Sequence, residues 1–441
     1  MTRNTAGDGR SSPRRDQVRG RRAPPGRSAR KPAAARVPLF RPVIRRRQMH
    51  AVLECLVSEE VGPGPIAGQL IGEAAAALDC RGGLALADYG AAATAALHLA
   101  IETGAGDGDS PAGGPRPVLM SALAPLRYVY AARAAGRQPL LVDVDPETGC
   151  LDGESMQRML AHRPCALVIG HVLGADEPLD EVRAAGVPIV EDVSAGILGI
   201  EMDRAYTASG RPPAARRARA NGAAARAADG SPAGQPASPA LRAPAGDVLV
   251  IGLQAPGVLA AGGGGLVLAR SPRGRRSLAG CRARFGWAEL ADVNAALALA
   301  QWHDLAAGRV RCAELAARFR DAVARSRHRT LAPAATPGPL FPVVVADGLR
   351  AAQRYATRHH VETRLACEGS AITGLLPEED DAAPAPATAH GWADDSSGGA
   401  ATGERLAGAQ EIARRSLVFP LYPDLRDTQA GQVARVLATL P

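Results

Sequence analysis

The sequence has 441 residues, enough for two domains with sizeable cores. Hydrophobic residues make up 46% and aromatic residues 3%, so any core is built from Ala, Val and Leu rather than from rings. The net charge of +8 comes from residues 1–36, where eleven Arg or Lys face only Asp8 and Asp16. The rest of the chain is nearly neutral, which argues against a nucleic-acid-binding surface spread over the folded part.

The basic segment 1–36 is predicted to be a solvated tail. It has no apolar stretch after its arginines, so it does not read as a secretory signal. Non-specific contact with phosphates or anionic lipid, and a mitochondrial-type leader, are the alternatives. The seven cysteines are far apart and form no C-x-x-C pair, which favours reduced thiols in a cytoplasmic protein over zinc ligands or disulfides.

Three segments lack the apolar residues that a core needs, and we predict that they are disordered: 1–36, 204–245 and 374–403. The second is rich in Ala, Pro, Gly and Arg, and the third is acidic.

Between these segments, short apolar runs alternate with helix-like stretches. The runs predict strands at 84–87, 117–120, 139–142, 165–170, 187–190, 248–253 and 265–269. The helix-like stretches are 42–57, 92–101, 126–135, 153–161 and 178–185. This alternation predicts an α/β fold with a mainly parallel sheet between two layers of helices.

The uncharged stretch 248–269 is long enough to cross a membrane, but Pro256 and its glycines favour two short strands joined by a turn. After residue 281 the pattern changes to a smaller α+β domain. Its predicted elements are a helical stretch 287–325, a strand 340–346, a helix 349–359 and a strand 360–366. We therefore predict a large domain 37–280 and a small domain 281–441.

Seven segments in chain order resemble the DegT/DnrJ/StrS family of nucleotide-sugar aminotransferases. The opening helix and turn are similar to VPLFRPVIRRRQMHAVLECLVSEEVGPGP (37–65), and GRQPLLVDVDPETGCLD (136–152) matches the stretch after the third strand. The others are ATAALHLAI (93–101), GHVLGADEPLDEV (170–182), VPIVEDVSAGILG (187–199), GDVLVIGL…GGGGLVLA (246–269) and ARRSLVFPLYPDL (413–425).

The resemblance implies the aspartate-aminotransferase fold (fold type I), the cofactor pyridoxal phosphate and a dimer with shared sites. Asp192 stands where the family pairs a carboxylate with the pyridine nitrogen, and Ala93 and Thr94 stand at the phosphate-binding Gly-Thr. The other family positions hold residues without the expected chemistry: Pro125 for the stacking aromatic, Ala195 for a Gln, Gly252 for a phosphate-binding Ser, Trp287 for the partner's Asn and Gly263 for a Glu.

The lysine that forms the Schiff base in this family falls at Gly257. The only lysine of the sequence is Lys31, in the basic tail. No histidine lies between His171 and His303, so the family's histidine-dependent dehydratases are not a match either. We expect no catalytic residue at Gly257, no tight binding of pyridoxal phosphate, and a turn there whose backbone has positive φ.

The resemblance leaves two functions open. One is a pseudoenzyme of amino-sugar or polysaccharide biosynthesis that binds a sugar nucleotide or an active paralogue as a homodimer or heterodimer. The other is an active but atypical transaminase or dehydratase that uses pyridoxal or pyridoxamine phosphate. A nucleic-acid-binding regulator that uses the basic tail is a third reading, which the neutral remainder of the chain disfavours.

Three further features have structural as well as functional readings. His171 resembles a substrate-binding His-x-x-Gly position, but a histidine there also caps a loop. His359 and His360 have no third ligand nearby in sequence, so no metal is predicted. Glycines 262–265 resemble a phosphate cradle, and we interpret them as a tight turn between strands.

Overall fold

The structure is a computed structural model that describes residues 36–104, 114–171, 173, 177, 179–202, 243–331, 338–375 and 406–441. All of them belong to one compact unit, Arg36–Pro441. The three segments predicted to be disordered lie outside the described residues, apart from a few residues at their edges.

A seven-stranded sheet forms the centre of the fold, in the order β1-β7-β6-β5-β4-β2-β3. Strands β2 to β6 run parallel, and β7 is antiparallel to both of its neighbours. The strands are β1 (Gly82–Leu86), β2 (Val118–Ser121), β3 (Pro139–Val142), β4 (Ala166–Gly170), β5 (Ile189–Asp192), β6 (Val248–Gly252) and β7 (Gly265–Ala269). The predicted α/β fold with a mainly parallel sheet is therefore confirmed, and each of the seven predicted strands lies within a few residues of its expected place.

Both faces of this sheet are buried, as the continuous apolar runs predict. Successive side chains of a strand point to opposite faces. In β6, Val248 and Val250 join one hydrophobic cluster, while Leu249 and Ile251 join another. The stretch 248–269 is thus two antiparallel strands of the sheet, and no helix among the described residues is long and apolar enough to cross a membrane.

Helices cover the two faces and bring the remaining apolar residues onto the sheet. Those from the first two-thirds of the chain are α1 (Arg46–Val57), α2 (Pro65–Ala77), α3 (Tyr89–Thr103), α4 (Arg127–Ala134), α5 (Gly153–Leu160), α6 (Asp180–Ala184) and α7 (Pro272–Phe285). The sequence reading missed α2 and α7. Both begin with Pro in the first turn, a favoured position for that residue at a helix start.

The C-terminal part builds a second, three-stranded antiparallel sheet in the order β8-β10-β9, with its own hydrophobic cluster. Its elements are α8 (Asp292–Trp302), α9 (Leu305–Val323), β8 (Leu340–Val344), α10 (Leu349–Arg358), β9 (Arg364–Leu365), α11 (Ala371–Leu375), α12 (Ala407–Arg415), β10 (Ser416–Pro420) and α13 (Asp427–Ala438). The strand predicted at 360–366 shrinks to two residues, because His360 has a positive φ of 59° and Val361 bridges Val37 instead. The domain boundary at residue 280 stays a prediction.

Candidate functional site

Asp192 ends β5, and its carboxylate is the centre of a buried hydrogen-bond network. The side chains of Tyr89, Tyr128 and Ser194 surround it, and the residue is 3% exposed. Oδ2 accepts the hydroxyl protons of Tyr89 and, at 2.9 Å, of Tyr128. Oδ1 accepts the backbone N–H of Ser194 at 3.0 Å and its hydroxyl. An ionised carboxylate has about four lone-pair sites, so these four donors saturate it.

Burial and the charge of Asp192 raise the pKa of Tyr89 and of Tyr128 well above the usual value. Both phenols therefore stay protonated at neutral pH and act as donors. The guanidinium of Arg127 lies over the Tyr89 ring, 3.9 Å from its centroid. This cation–π contact holds the face of the ring, while the hydroxyl at its edge bonds to Asp192.

The start of α3 explains why Tyr89 reaches Asp192. Asp88 caps the helix by accepting the backbone N–H of Ala91 at 2.8 Å, so α3 begins at Tyr89 rather than at residue 92. Ala93 and Thr94 consequently lie in the second turn, where backbone N–H groups are bonded within the helix. Ala93 is fully buried, and the Thr94 hydroxyl donates to the carbonyl of Gly90 at 2.9 Å. Neither residue presents a free donor at a helix start.

The ring of Tyr89 also fills the space beside Gly252, at the end of β6. A Cβ added to Gly252 would lie 2.9 Å from Cε1 of Tyr89 and 3.2 Å from the Ser194 hydroxyl. That hydroxyl accepts the Gly252 N–H at 2.6 Å. The absence of a side chain at Gly252 is thus what lets Tyr89 and Ser194 pack against the sheet.

Gly257 lies in the loop between β6 and β7. A Cβ there would lie 2.5 Å from the backbone oxygen of Gln254, so no side chain fits without a backbone shift. The expectation of a positive φ is wrong: Gly257 is not among the glycines with positive φ, and close approach to Gln254 is what restricts it. The cavity that it lines with Cys312 and Tyr422 is about 20 Å³. That is room for about one water, against roughly 300–1,000 Å³ in sites for small molecules.

Two side chains of α8 hold this loop in place. Gln301 accepts the N–H of Ala260 at 2.8 Å and donates to its carbonyl at 3.1 Å. Asn294 donates to the carbonyl of Ala261 at 2.7 Å. The glycines that follow, Gly262, Gly263 and Gly264, all have positive φ, in agreement with a turn that leads into β7.

Three other family positions lie in bridges and turns of the fold. Pro125 is half-buried and bridges Ser370, and Ala195 is half-buried in the turn after Ser194. Trp287 is 80% exposed, in a short 3₁₀ turn after α7, so its ring does not reach the interior of this chain.

His171 is buried and lies directly after β4. Its Nε2 lies 3.0 Å from Oε1 of Glu191, and the second oxygen of Glu191 accepts the N–H groups of Ala245 and Gly246 at 2.6 Å each. Because Glu191 and Asp192 are consecutive in β5, their side chains point to opposite faces. The structure thus joins His171 to Glu191 and the segment before β6, rather than to the Asp192 network.

The described residues include no group of three or more His, Cys, Asp or Glu side chains that could hold a metal ion. His359 and His360 are both exposed; the His359 ring stacks at a tilt on Tyr355, at 4.3 Å between centroids.

The sequence reading missed Tyr89, Tyr128 and Ser194, the residues that define this site. One local signal was available for Tyr89. Asp88 is a favoured N-cap residue directly before an alanine-rich helix, which places the helix start one turn earlier than predicted. No local signal points to Tyr128, which is 64 positions away from Asp192 in sequence.

Solved structures of sugar aminotransferases share this fold. An aminotransferase of Streptoalloteichus hindustanus is 20% identical and superposes with a TM-score of 0.64, over 92% of this chain and all of its own. The PLP form of a putative sugar aminotransferase of Streptococcus pneumoniae is 14% identical, with a TM-score of 0.67 over 92% of this chain and 98% of its own. A PMP form of that protein matches as well. The fold of this chain is therefore that of the pyridoxal-phosphate-dependent sugar aminotransferases.

Residues 42–207 match the model of the DegT/DnrJ/EryC1/StrS aminotransferase family, which confirms the resemblance seen in the sequence. Among curated relatives, the L-glutamine:scyllo-inosose aminotransferase of Streptomyces griseus is 34% identical over 104 residues, 22% of this chain and 23% of the relative. This chain thus matches about a quarter of the length of the curated relatives.

Proposed function

We propose that this chain is a catalytically inactive member of the sugar-aminotransferase family. The observation that supports this most strongly is the saturated carboxylate of Asp192. In the family a carboxylate at this position keeps the pyridine nitrogen protonated, which makes the ring an electron sink. Here all four acceptor sites of Asp192 are taken by side-chain and backbone donors of the chain itself.

The residues present do not fit pyridoxal phosphate. A pyridinium that approached Asp192 would have to displace a tyrosine whose ring packs on Gly252 and lies under Arg127. A buried hydrogen bond to a charged group contributes about 1.5–3 kcal/mol, so the displacement is costly before any contact with the cofactor is made. The phosphate of the cofactor finds no free hydrogen-bond donor at Ala93 and Thr94, because their backbone N–H groups lie within α3.

No residue of the described chain replaces the lysine. The resemblance places that lysine at Gly257, and the only lysine of the sequence lies outside the described residues. Losing a positioned general base typically costs about 10²–10⁴ in rate. A closed Asp192 site and a missing base act together, and we infer that the chain has no transaminase activity.

Without catalysis, the function of the fold is to bind another molecule. We propose that the chain takes part in amino-sugar or polysaccharide biosynthesis by binding a sugar nucleotide or an active paralogue, as one subunit of a dimer. Trp287 supports this, because it is exposed at the position where the resemblance places a residue that reaches a partner's site. The seven cysteines lie far apart in the sequence and form no C-x-x-C pair, which supports a reducing compartment, the cytoplasm.

The alternative is an active, atypical transaminase or dehydratase, and the names of the relatives favour it. They are aminotransferases that use L-glutamine with scyllo-inosose or 2-deoxy-scyllo-inosose.

An amino-transfer assay separates the two functions. The purified full-length chain is given excess pyridoxal phosphate, L-glutamine or L-glutamate, and either scyllo-inosose or a keto-sugar nucleotide. We expect no turnover above a protein-free reaction, while an active sugar aminotransferase in the same buffer turns over. Turnover by the wild-type chain that Asp192→Asn abolishes would overturn the proposal.

A further inference from the structure

A cavity of about 390 Å³ lies beside β9, at the edge of the three-stranded sheet. Its walls come from the first described residues, from the end of α10 and from the residues that lead into β9. The volume is toward the lower end of the roughly 300–1,000 Å³ found in sites for small molecules. The residues that give the cavity its chemistry are Arg36, Leu39, His360, Val361, Thr363 and Arg364.

Hydrogen bonds between two distant parts of the chain build one wall of this cavity. Val37 donates its N–H to the carbonyl of His360 at 2.8 Å and accepts the N–H of Glu362 at 3.0 Å. Oε1 of Glu362 lies 2.6 Å from Nε of Arg36, and Oε2 accepts the N–H of Leu39 at 2.8 Å. Among the described residues that line the cavity, Glu362 is the one with a carboxylate, and both of its oxygens are therefore engaged.

His360 has an unusual backbone conformation in the same wall. It follows α10 with a φ of 59°, and its N–H and that of Val361 bond back to the carbonyls of Thr357 and Ala356. Glycine is the usual residue at such a helix end, because a Cβ is strained at positive φ. Residues held in strained conformations concentrate at binding sites and active sites. The cap thus places an imidazole on the cavity where the backbone alone favours glycine.

Two residues of the wall carry a buried polar atom with no hydrogen-bond partner among the described residues. These atoms are the hydroxyl oxygen of Thr363 and Nε of Arg364. The contact of Arg364 with Glu368, at 3.4 Å, is an ion pair without the geometry of a hydrogen bond. Buried polar groups are almost always paired, so two unpaired donors in the wall of one cavity indicate that a polar group binds there.

The charges of the wall favour an anion. Arg36 and Arg364 supply two guanidinium groups, while the carboxylate of Glu362 is used within the wall. A guanidinium matches the oxygens of a phosphate in geometry and charge, and the neighbouring hydroxyl and imidazole are further donors. Leu39 and Val361 add apolar surface, and the volume leaves room for more than a phosphate alone.

We propose that this cavity binds a small phosphomonoester, and that Arg36, His360, Thr363 and Arg364 hold its phosphate. A phosphomonoester has a terminal phosphate, which a sugar nucleotide lacks, so this site does not rest on the proposed function. An active aminotransferase with this fold would have the same cavity. The amino-transfer assay and a binding assay can therefore fail independently of each other.

Calorimetric titration of the full-length chain with glucose 6-phosphate tests the site. We expect saturable binding of one molecule per chain, weaker binding of inorganic phosphate, and no binding of glucose, which carries no charge. Arg364→Gln should raise the dissociation constant of glucose 6-phosphate by roughly tenfold or more, because a charged donor is lost. Arg350→Gln is the matched control: Arg350 is exposed at the start of α10, away from the residues that line the cavity, and this variant should bind as the wild type does.

Two further variants separate binding from folding. Thr363→Val removes an unpaired hydroxyl at nearly constant volume, so it should raise the dissociation constant by roughly threefold or more without lowering the midpoint of thermal unfolding. His360→Gly should weaken binding although it relieves the strained cap and raises that midpoint. Residues with a purely structural role would not weaken binding while stability is kept or gained.

Three results would overturn the proposal. The first is the absence of saturable binding of glucose 6-phosphate to the wild-type chain. The second is binding of glucose or of inorganic phosphate that is as tight as that of glucose 6-phosphate. The third is wild-type affinity in Arg364→Gln, Thr363→Val and His360→Gly, which would place the bound phosphate elsewhere on the chain.

Discussion

At the scale of single residues, the site is defined by which groups bond to Asp192. Tyr89 and Tyr128 come from two different helices and meet at one oxygen, while Ser194 covers the other. Each of these bonds has a charged acceptor and is shielded from water, which places it among the stronger hydrogen bonds of the protein. The network therefore stabilises the fold.

Tyr128→Phe should lower the free energy of unfolding by about 1.5–3 kcal/mol, because it removes a buried hydrogen bond to a carboxylate. Tyr130→Phe is the matched control on the same helix, since Tyr130 is 59% exposed. Its effect should stay within about 0.5 kcal/mol. Chemical denaturation of the two variants gives both values, and equal effects would show that the Asp192 network contributes nothing.

The raised pKa of Tyr128 predicts a loss of stability at high pH. Its pKa is higher in the folded chain than the value of about 10 in the unfolded chain, so its contribution is complete below about pH 10. As the pH rises further, the unfolded state loses a proton that the folded state keeps, and stability falls. Between about pH 10 and 11, the wild type should lose up to about 1.4 kcal/mol more than Tyr128→Phe. Parallel stability curves for the two proteins would contradict the assignment.

Gly257→Lys should not create a working aminotransferase. The new Cβ would stand 2.5 Å from the oxygen of Gln254, and the cofactor would still find Asp192 occupied. The measurement is borohydride trapping with pyridoxal phosphate, followed by peptide mapping and the amino-transfer assay. Gly280→Lys controls for surface labelling, because a Cβ at Gly280 meets nothing within 4 Å. Turnover by Gly257→Lys well above Gly280→Lys would mean that the rest of the site is intact.

At the scale of elements, the loop between β6 and β7 depends on its glycines. Gly264 has a φ of +96°, and a Cβ there would lie 2.6 Å from the backbone oxygen of Leu86. Gly280 is a glycine of α7 that faces open space.

Gly264→Ala should therefore destabilise the protein by about 1–3 kcal/mol, because it stores backbone strain. Gly280→Ala should stabilise it by about 0.4–1 kcal/mol, because alanine restricts the unfolded chain without strain in the helix. Thermal or chemical denaturation of both variants checks the contrast. If both Gly264→Ala and Gly280→Ala stabilise the protein, the turn does not need a positive φ at Gly264.

The sequence predicts the strands well and the site poorly, for physical reasons. Runs such as 248–253 and 265–269 are wholly apolar and end at turn residues, so burial on both faces is visible locally. The hydrogen bonds that occupy the Asp192 carboxylate are not local in sequence. They join residues that are 64 and 103 positions apart, and they depend on a helix that starts three residues before its predicted start. The resemblance shows which family positions lack the expected residue, but it does not show which side chains bond to Asp192 instead.

At the scale of the whole molecule, the chain has the fold of the sugar aminotransferases, while the Asp192 carboxylate accepts hydrogen bonds from groups of the chain itself. The fold covers about nine-tenths of the chain in the structural matches, while identity stays at or below about one in five. Tyr89 and Tyr128 serve both the core and the site, since their rings belong to the hydrophobic cluster while their hydroxyls bond to Asp192. Our proposal is that the Asp192 network takes the place of the cofactor while the scaffold stays intact.

Equilibrium binding of pyridoxamine phosphate tests this claim most directly, because that form of the cofactor needs no lysine. The wild-type chain and Asp192→Ala are dialysed against increasing concentrations of it, with molar mass and folding monitored in both. Our account predicts no saturable binding by the wild-type chain beyond what Asp192→Ala shows. Binding of one molecule per chain that disappears in Asp192→Ala would show that the carboxylate is open to the cofactor and would contradict the account.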